Sequence, residues 1–373
     1  MISEPEILDV REPPGKATGK VAELWKPVEG TNKIMCTACA RYCKIGEGQV
    51  GLCGIRGVHQ GKLWLYVYGR IITGHVDPIE KKPVSHYRPG SKIFSIATTG
   101  CNWLCRYCQN SDISQRRKVE GIEVEPQDVV RMTLEQGCQG LAYTYNQPTI
   151  FIEFARDIGM MARRAGLLNI FVSNGYDTPE TVAEMPKFLD CVTVDFKGSG
   201  ETNFVRKYIN IPNADPIFQT LLDTRDTKKI HIEITDLIVP QVGDDLNAAR
   251  KLSKWVYDNL GPDTPIHFLR FHPDYKMMEF PWTPVETLEK HCAVAKEEGL
   301  KYVYIGNVSG HPLEHTYCPG CGAVAIKRYG FDITGWYLDK DNKCKKCGYQ
   351  LAIFGRLERT AKENRYYSVL YHR

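Results

Sequence analysis

The sequence predicts an α/β protein built on an open, partial (β/α)6 barrel, with a small cysteine-rich module before it and another after it. Two observations predict this architecture. From residue 91 onward, short apolar strands alternate with longer amphipathic helices, and such alternation is typical of a parallel sheet with right-handed crossovers. In addition, eleven of the 14 cysteines fall into three tight clusters with the spacing of metal ligands.

The strands and helices of the barrel are predicted from hydrophobic periodicity. Predicted strands are 92–97, 140–145, 168–173, 191–196, 230–238, 266–271 and 302–306. Predicted helices are 126–137, 149–165, 178–186, 216–224, 244–260 and 283–298. Prolines near helix starts (Pro126, Pro179, Pro284) and glycines past helix ends (Gly137, Gly166, Gly261, Gly299) support these bounds. The first six strand-helix units form the predicted barrel.

We expect five segments along the chain. They are an extended arm at 1–30, an N-terminal cysteine-rich module at 31–90, the partial barrel at 91–310, a zinc ribbon at 311–355 and a C-terminal tail at 356–373. Within the second segment, residues 62–68 alternate as a strand does, whereas 77–83 read as a turn-rich connection with solvated charges.

Composition narrows the class of protein. The chain has 373 residues, 43% of them hydrophobic, and a net charge of +4 without a dense basic run, so no nucleic-acid surface is predicted. The N-terminus lacks the pattern of a signal peptide, and no apolar run approaches transmembrane length. We therefore expect a cytoplasmic protein without membrane contact, with its cysteines kept reduced.

The central cysteine cluster follows the first barrel strand. Cys101, Cys105 and Cys108 have the spacing C-x3-C-x2-C, and three thiolates can hold three irons of a [4Fe–4S] cluster. The open fourth iron can bind S-adenosylmethionine and cleave it reductively to a 5′-deoxyadenosyl radical. The alternatives are a zinc site or a disulfide with a spare thiol, but the loop offers no fourth zinc ligand before Cys138.

The two other clusters each contain four cysteines. Cys36, Cys39, Cys43 and Cys53 can surround zinc or an auxiliary iron–sulfur cluster; spacing does not choose between them, and structural zinc is slightly preferred. Cys318, Cys321, Cys344 and Cys347 form two C-x2-C-G knuckles typical of a zinc ribbon with a structural role. The remaining cysteines, Cys138, Cys191 and Cys292, are expected to be small core residues.

Polar side chains follow the predicted barrel strands. In barrels of parallel strands the active site lies at the carboxyl ends of the strands. The residues at those ends are Tyr145, Asn146, Gln147, Ser173, Asn174, Tyr176, Asp195, Lys197, Asp236, Arg270, His272, Asp274 and Tyr275. They are expected to surround the mouth of the barrel, above Cys101–Cys108.

Taken together, these motifs resemble the radical S-adenosylmethionine enzyme of the AmmeMemoRadiSam system, a family related to pyruvate formate-lyase activating enzymes. The resemblance is carried by residues 36–56, 77–83, 101–110, 145–146, 173–175, 195–197, 271–275, 306–307 and 318–321. It implies a partial TIM-like barrel of the radical SAM type. It also implies that Cys101, Cys105 and Cys108 are catalytic ligands of the [4Fe–4S] cluster.

The same resemblance implies cofactor contacts. Tyr107 is expected beside the adenine, Asn174 and His272 near the ribose or adenine, and Lys197 on the methionyl carboxylate, with Asp195 steadying the charged end. Asn110, Asn146, Gln147 and Ser173 are further expected contacts of S-adenosylmethionine. The family usually has glutamate where this chain has Gln147, and an amide accepts a hydrogen bond from the methionyl ammonium without supplying charge.

The leading hypothesis is therefore hydrogen abstraction after reductive cleavage of S-adenosylmethionine. A protein substrate is preferred, by analogy with enzymes that activate glycyl radicals, and the electron donor is expected to be a ferredoxin or flavodoxin. The alternatives are radical modification of a small molecule or a nucleic acid, and a non-catalytic metal-binding interaction protein.

Overall fold

The computed structural model describes residues 19–357 and 366–371. Residues 1–18 of the predicted arm and residues 358–365 and 372–373 of the predicted tail lie outside the described residues.

The strands are β1 (Lys20–Val21), β2 (Trp25–Pro27), β3 (Ile34–Cys36), β4 (Lys44–Ile45), β5 (Arg56–His59), β6 (Lys62–Leu65), β7 (Arg70–Ile71), β8 (Thr73–Pro78), β9 (Lys92–Ala97), β10 (Ile122–Glu123), β11 (Gly140–Tyr143), β12 (Leu168–Ser173), β13 (Cys191–Lys197), β14 (His231–Ile238), β15 (Ile266–Arg270), β16 (Val303–Gly306), β17 (Thr316–Tyr317), β18 (Val324–Tyr329), β19 (Asp332–Trp336) and β20 (Tyr367–Tyr371). The α-helices are α1 (Ser111–Ser114), α2 (Pro126–Glu135), α3 (Ile152–Arg164), α4 (Pro179–Glu184), α5 (Thr202–Phe204), α6 (Asp215–Asp226), α7 (Leu246–Leu260) and α8 (Val285–Glu297). Short 3-10 helices cover Ile79–Lys81, Pro148–Phe151, Met185–Lys187, Gly198–Gly200 and Pro312–Glu314, and Val205–Ile209 is π-helical.

One large sheet organises the molecule. Its strand order is β16-β15-β14-β13-β12-β11-β9-β8-β20. The seven strands from β16 to β9 are parallel, whereas β8 and β20 are antiparallel to their neighbours. The predicted α/β class with a mostly parallel sheet is confirmed. The sheet ends at β16 on one side and β20 on the other, so in the described residues it stays open.

Local signals explain where the helices begin and end. Thr178 accepts a hydrogen bond from the backbone N–H of Thr181 and caps α4, and Asp245 caps α7 in the same way. Gly261 ends α7 with φ +95°. The helix predicted at 178–186 changes to a 3-10 turn at Met185–Lys187, because Pro186 has no N–H to donate within an α-helix.

The prediction for residues 77–83 is wrong in part. Ile79–Lys81 form a 3-10 turn, as expected of a turn-rich connection, but Asp77 and Pro78 belong to a strand, and the charged groups of Asp77 and Lys82 are buried rather than solvated. Asp77 is the fifth residue of β8, which pairs with β9 in register Asp77↔Ile93. Its carboxylate is fully buried and is bonded by the ammonium groups of Lys82 at 2.6 Å and Lys81 at 2.9 Å. The missed signal was the alternation of apolar and polar residues over 72–78, which predicts a strand.

The two ends of the chain also add strands. Residues 19–30, expected to form part of an extended arm, contain β1, which pairs with β6, and β2, which pairs with β3. In the predicted tail, β20 pairs with β8 at the sheet edge. The β1–β6 and β20–β8 pairings are long-range in sequence, and short-range periodicity does not report them, whereas β2 and β3 form a local hairpin.

The C-terminal module packs on the far edge of the sheet. It contains a small antiparallel sheet, β17-β18-β19. Its hydrophobic core includes two tyrosines of the barrel. Tyr302 directly precedes β16, and Tyr304 is part of that strand. The hydroxyl of Tyr304 lies 2.9 Å from that of Thr316, and Arg328 donates to the backbone oxygen of Ser85 at 3.1 Å. The module and the barrel therefore share one buried contact region.

Among the described residues, none of the helices has the length and apolar character needed to span a membrane.

Candidate active site

The three cysteines of the central cluster converge on one cavity. Cys101, Cys105 and Cys108 lie in the loop between β9 and α1 and line a cavity of about 520 Å³. Burial raises the pKa of Cys101 to about 11, and burial together with the neighbouring thiols raises the pKa of Cys105 further. The thiols are therefore neutral without a metal, and a bound metal would displace their protons.

An ion pair from β13 lies beside these thiols. Nζ of Lys197 is 3.0 Å from Oδ2 of Asp195, and the hydroxyl of Thr235 donates to the other oxygen of that carboxylate. Burial opposes the charged lysine, but the charge and the hydrogen bond of Asp195 raise the pKa of Lys197. The cavity thus holds a fixed cation next to the cluster loop.

Asn146 binds the cluster loop, which is the segment between β9 and α1 that carries Cys101, Cys105 and Cys108. The side-chain oxygen of Asn146 receives no hydrogen bond from the described residues. Its Nδ2 donates to the backbone oxygens of Thr98 at 2.7 Å and Gly100 at 2.8 Å. Its Oδ1 is buried and lacks a hydrogen-bond partner among the described residues. Because Asn146 lines the cavity, this oxygen is available to a donor group of a bound molecule, such as an ammonium.

Gln147 belongs to a buried network behind the cavity wall. Its Nε2 donates to Ser173 and to Asp177, both at 2.9 Å, and its Oε1 accepts from the backbone N–H of Asn174 at 2.7 Å. Burial raises the pKa of Asp177 to about 6, although hydrogen bonds from Thr149, Gln147 and Ser173 oppose the shift. A carboxylate at position 147 would face that of Asp177, whereas the amide donates to it.

The structure gathers most, but not all, of the predicted contact residues. Of these residues, the cavity is lined by Cys101, Cys105, Tyr107, Cys108, Asn110, Asn146, Gln147, Asn174, Asp195 and Lys197. Ser173 and His272 do not line it. Ser173 lies behind Gln147, and the ring nitrogen of His272 lies 2.7 Å from Nε2 of Gln109. Tyr107 is buried and stacks on Phe204 with ring centroids 6.0 Å apart.

Three polar residues of the site were missed by sequence analysis. The first two are Lys82 and Asp77. Lys82 lines the cavity beside Tyr145, which was predicted at the barrel mouth, and Asp77 accepts hydrogen bonds from both. Burial lowers the pKa of Lys82 to about 8, because desolvation outweighs the attraction of Asp77. Asp177, described above, is the third, and its only sequence signal was its place four residues after Ser173 at a strand end.

The four N-terminal cysteines gather away from the main cavity. Cys36, Cys39, Cys43 and Cys53 line a second, smaller cavity together with Arg41 and Asn102. Burial raises the pKa of Cys36 to about 12 and also raises those of Cys39 and Cys53.

The four C-terminal cysteines form a compact group. Sγ of Cys318 lies 3.5 Å from that of Cys347, and Sγ of Cys321 lies 3.8 Å from that of Cys344. All four sulfurs lie within 4.8 Å of one another, so they could hold a metal ion. This grouping fits a zinc-ribbon module. Cys138, Cys191 and Cys292 are buried core residues, as expected.

The chain is similar to several known proteins. Residues 95–255 match the Radical SAM superfamily model. The chain is 41% identical over 327 residues to an uncharacterized protein of Methanocaldococcus jannaschii, covering 86% of this chain and 96% of that protein. A solved domain of a pyruvate-formate lyase-activating enzyme from Bacteroides vulgatus is similar at 16% identity and TM-score 0.40, covering 45% of this chain and 99% of that one. A radical SAM methyltransferase from Sphaerobacter thermophilus is similar at 10% identity and TM-score 0.45, covering 59% and 67%.

Proposed function

Because residues 95–255 form a Radical SAM superfamily domain, we propose that the chain cleaves S-adenosylmethionine reductively and abstracts a hydrogen atom from a protein substrate. The convergence of Cys101, Cys105 and Cys108 on one cavity carries this proposal. When bound, the [4Fe–4S] cluster supplies one electron and S-adenosylmethionine supplies the abstracting radical. The motifs quoted above support the further proposal that the enzyme is of the AmmeMemoRadiSam type.

The residues of the cavity suit this pair of cofactors. Three thiols leave one iron of a cube without a protein ligand. Lys197 offers a buried cation for the methionyl carboxylate, and the unused Oδ1 of Asn146 offers an acceptor for the methionyl ammonium. The buried ring of Tyr107 provides an apolar wall that keeps water from the reacting groups.

Exposed apolar side chains near the cluster loop favour a protein substrate. The segment after β15 is joined to that loop by a hydrogen bond from the N–H of Lys276 to the oxygen of Arg106, 2.8 Å long. Met278 is 66% exposed, Trp282 is 53% exposed, and Tyr275 is also exposed. These three exposed side chains fall within eight residues of one segment, and apolar side chains grouped on a surface are typical of protein interaction sites. The proposed substrate is therefore a protein segment that docks here and presents a backbone glycine.

A small charged molecule is the second candidate substrate. The far side of the cavity is lined by Lys82, Glu314 and Arg328. These groups lie on the barrel and on the C-terminal module, so both parts of the chain would contact a small ligand.

The first test is the formation of 5′-deoxyadenosine. The full chain is reconstituted anaerobically with iron and sulfide, reduced with dithionite and incubated with S-adenosylmethionine. We expect 5′-deoxyadenosine from the wild type and none from Cys101→Ala. Lys197→Gln should raise the KM for S-adenosylmethionine about 10- to 100-fold, the value of a charged hydrogen bond of about 1.5–3 kcal/mol.

The matched control is Lys187→Gln, which removes an exposed lysine paired with Glu184 outside the cavity and should leave the KM unchanged. Absence of 5′-deoxyadenosine from wild-type protein with an intact cluster would refute the proposal. The substrate class is tested by deuterium transfer into 5′-deoxyadenosine from a glycine-deuterated candidate protein or from a deuterated small molecule.

A further inference from the structure

The three cysteine clusters differ in the distances between the sulfur atoms within each cluster. A zinc ion holds four thiolates at about 2.3 Å, which puts the sulfurs about 3.8 Å apart. The Cys318–Cys347 group has this geometry, with 3.5 and 3.8 Å between paired sulfurs. Within the described residues, this group alone brings three or more cysteine, histidine or carboxylate ligand atoms within 4.8 Å of one another.

The N-terminal thiols do not form such a tight group. Cys36, Cys39, Cys43 and Cys53 line one cavity, yet no three of their sulfurs approach as closely as those of the ribbon. The same is true of Cys101, Cys105 and Cys108. An iron–sulfur cluster distributes its thiolates over more than one iron, so the ligand sulfurs as a set lie further apart than around zinc.

The walls of the N-terminal cavity also suit a negatively charged cluster. Ile45, Leu52 and Ile150 give it apolar sides. Arg41 lines the cavity, and its buried Nη2 has no hydrogen-bond partner in the described part of the chain. A buried N–H of a guanidinium needs an acceptor, and the sulfurs of an iron–sulfur cluster accept such hydrogen bonds.

From this spacing and this lining we propose that Cys36, Cys39, Cys43 and Cys53 hold a second iron–sulfur cluster rather than zinc. The site directly adjoins the catalytic loop. Nε of Arg41 donates to the backbone oxygen of Asn102 at 2.8 Å. A β-carbon at Gly100 would lie 2.3 Å from the backbone oxygen of Cys53, so the two loops are in direct contact.

The test removes the catalytic thiols and leaves the N-terminal site intact. The full-length variant Cys101→Ala/Cys105→Ala/Cys108→Ala is reconstituted anaerobically with iron and sulfide. Iron, acid-labile sulfide and zinc are then counted. We expect equal amounts of iron and sulfide, about two of each for a [2Fe–2S] cluster or about four for a [4Fe–4S] cluster, with one zinc in the ribbon. Reduction should produce an iron–sulfur electron paramagnetic resonance signal.

Two further variants locate the remaining iron. Adding Cys36→Ala and Cys39→Ala to the triple variant should remove the iron and sulfide, whereas adding Cys138→Ala, a buried cysteine outside the clusters, should leave them. Two zinc ions per chain and no sulfide in the triple variant would overturn the proposal, as would one zinc and no iron. Neither result would bear on cleavage of S-adenosylmethionine by the wild type. The second cluster and the proposed function can therefore be refuted separately.

Discussion

At the scale of single residues, the network around Gln147 shows how one amide changes the electrostatics of the site. Gln147 donates to Asp177, whose carboxylate is buried and also bonded by Thr149. A glutamate at position 147 would set two buried carboxylates against each other, and one of them would have to stay protonated. The amide therefore allows Asp177 to ionise at a lower pH than it could beside a second acid.

The raised pKa of Asp177 predicts a pH dependence of stability. Its pKa is about 6 when folded, against a reference of 3.8, so the folded state binds more protons between these values. The free energy of unfolding should then fall as pH rises from about 4 to about 6, by about 3 kcal/mol from this group. Asp177→Asn should lack this component. Denaturant unfolding of both proteins from pH 4 to pH 7 measures it.

The control for this prediction is Asp258→Asn, which changes an exposed carboxylate on α7 and should preserve the wild-type pH profile. A constant difference in unfolding free energy between wild type and Asp177→Asn across this pH range would contradict the prediction.

Residues of the site were predictable where topology alone decides their position. Parallel strands bring their carboxyl ends to one edge, which places Asn146, Asn174 and Lys197 together. Burial of charge was not predictable in this way. Asp77 and Lys82 lie in a charged stretch that is solvated in most proteins, and only their long-range packing under Tyr145 encloses them.

At the scale of elements, the loop that carries Cys101, Cys105 and Cys108 depends on a glycine. Gly100 has φ +86°, and the space where a β-carbon would lie is taken by the backbone of Cys53. Gly137, after α2, also has positive φ, at +62°, but no atom lies within 4 Å of its β-carbon position. At both positions the backbone conformation disfavours a residue with a β-carbon. Only at Gly100 is the space for that β-carbon also occupied.

This pair gives a controlled prediction. Gly137→Ala should cost about 1–2 kcal/mol, the penalty for an L-residue in the left-handed region. Gly100→Ala should cost that amount and about 1–3 kcal/mol more, because the methyl group overlaps rigid backbone. It should also lower the iron bound per chain after reconstitution, whereas Gly137→Ala should not. Equal losses of stability and equal iron content in the two variants would show that the loops do not pack as described.

The periodicity of the sequence predicted correctly which segments are helices and which are strands. The predicted ends of these elements were wrong near prolines and near residues with positive φ. The strand predicted at 140–145 ends at Tyr143, and Tyr145 adopts φ +68°, a conformation that no strand contains. The helix predicted at 149–165 begins as a 3-10 turn at Pro148–Phe151. The edge strand β20 was missed because antiparallel pairing with a distant segment leaves no local signal, whereas β8 did have a local signal in the alternation over 72–78.

At the scale of the whole molecule, the C-terminal module forms part of the wall of the active-site cavity. Glu314, Arg328 and Phe331 of this module line the cavity together with the cluster loop. Arg328 is buried and donates to Thr316 at 2.7 Å and to the backbone of Ser85 at 3.1 Å. A metal ion held by the four cysteines of the module would therefore stabilise a surface of the cavity as well as the module itself.

This coupling predicts that loss of the C-terminal metal loosens the barrel edge. Structural zinc supplies on the order of 10 kcal/mol of folding free energy to small domains, so Cys344→Ala should unfold the β17–β19 sheet. Hydrogen–deuterium exchange should then rise both in that sheet and in β16, whose Tyr304 packs into the core of the module, and formation of 5′-deoxyadenosine should fall. Cys138→Ala, a buried cysteine outside the clusters, should leave exchange in β16 unchanged. If β16 stays as protected in Cys344→Ala as in the wild type while zinc is lost, the module is independent of the barrel.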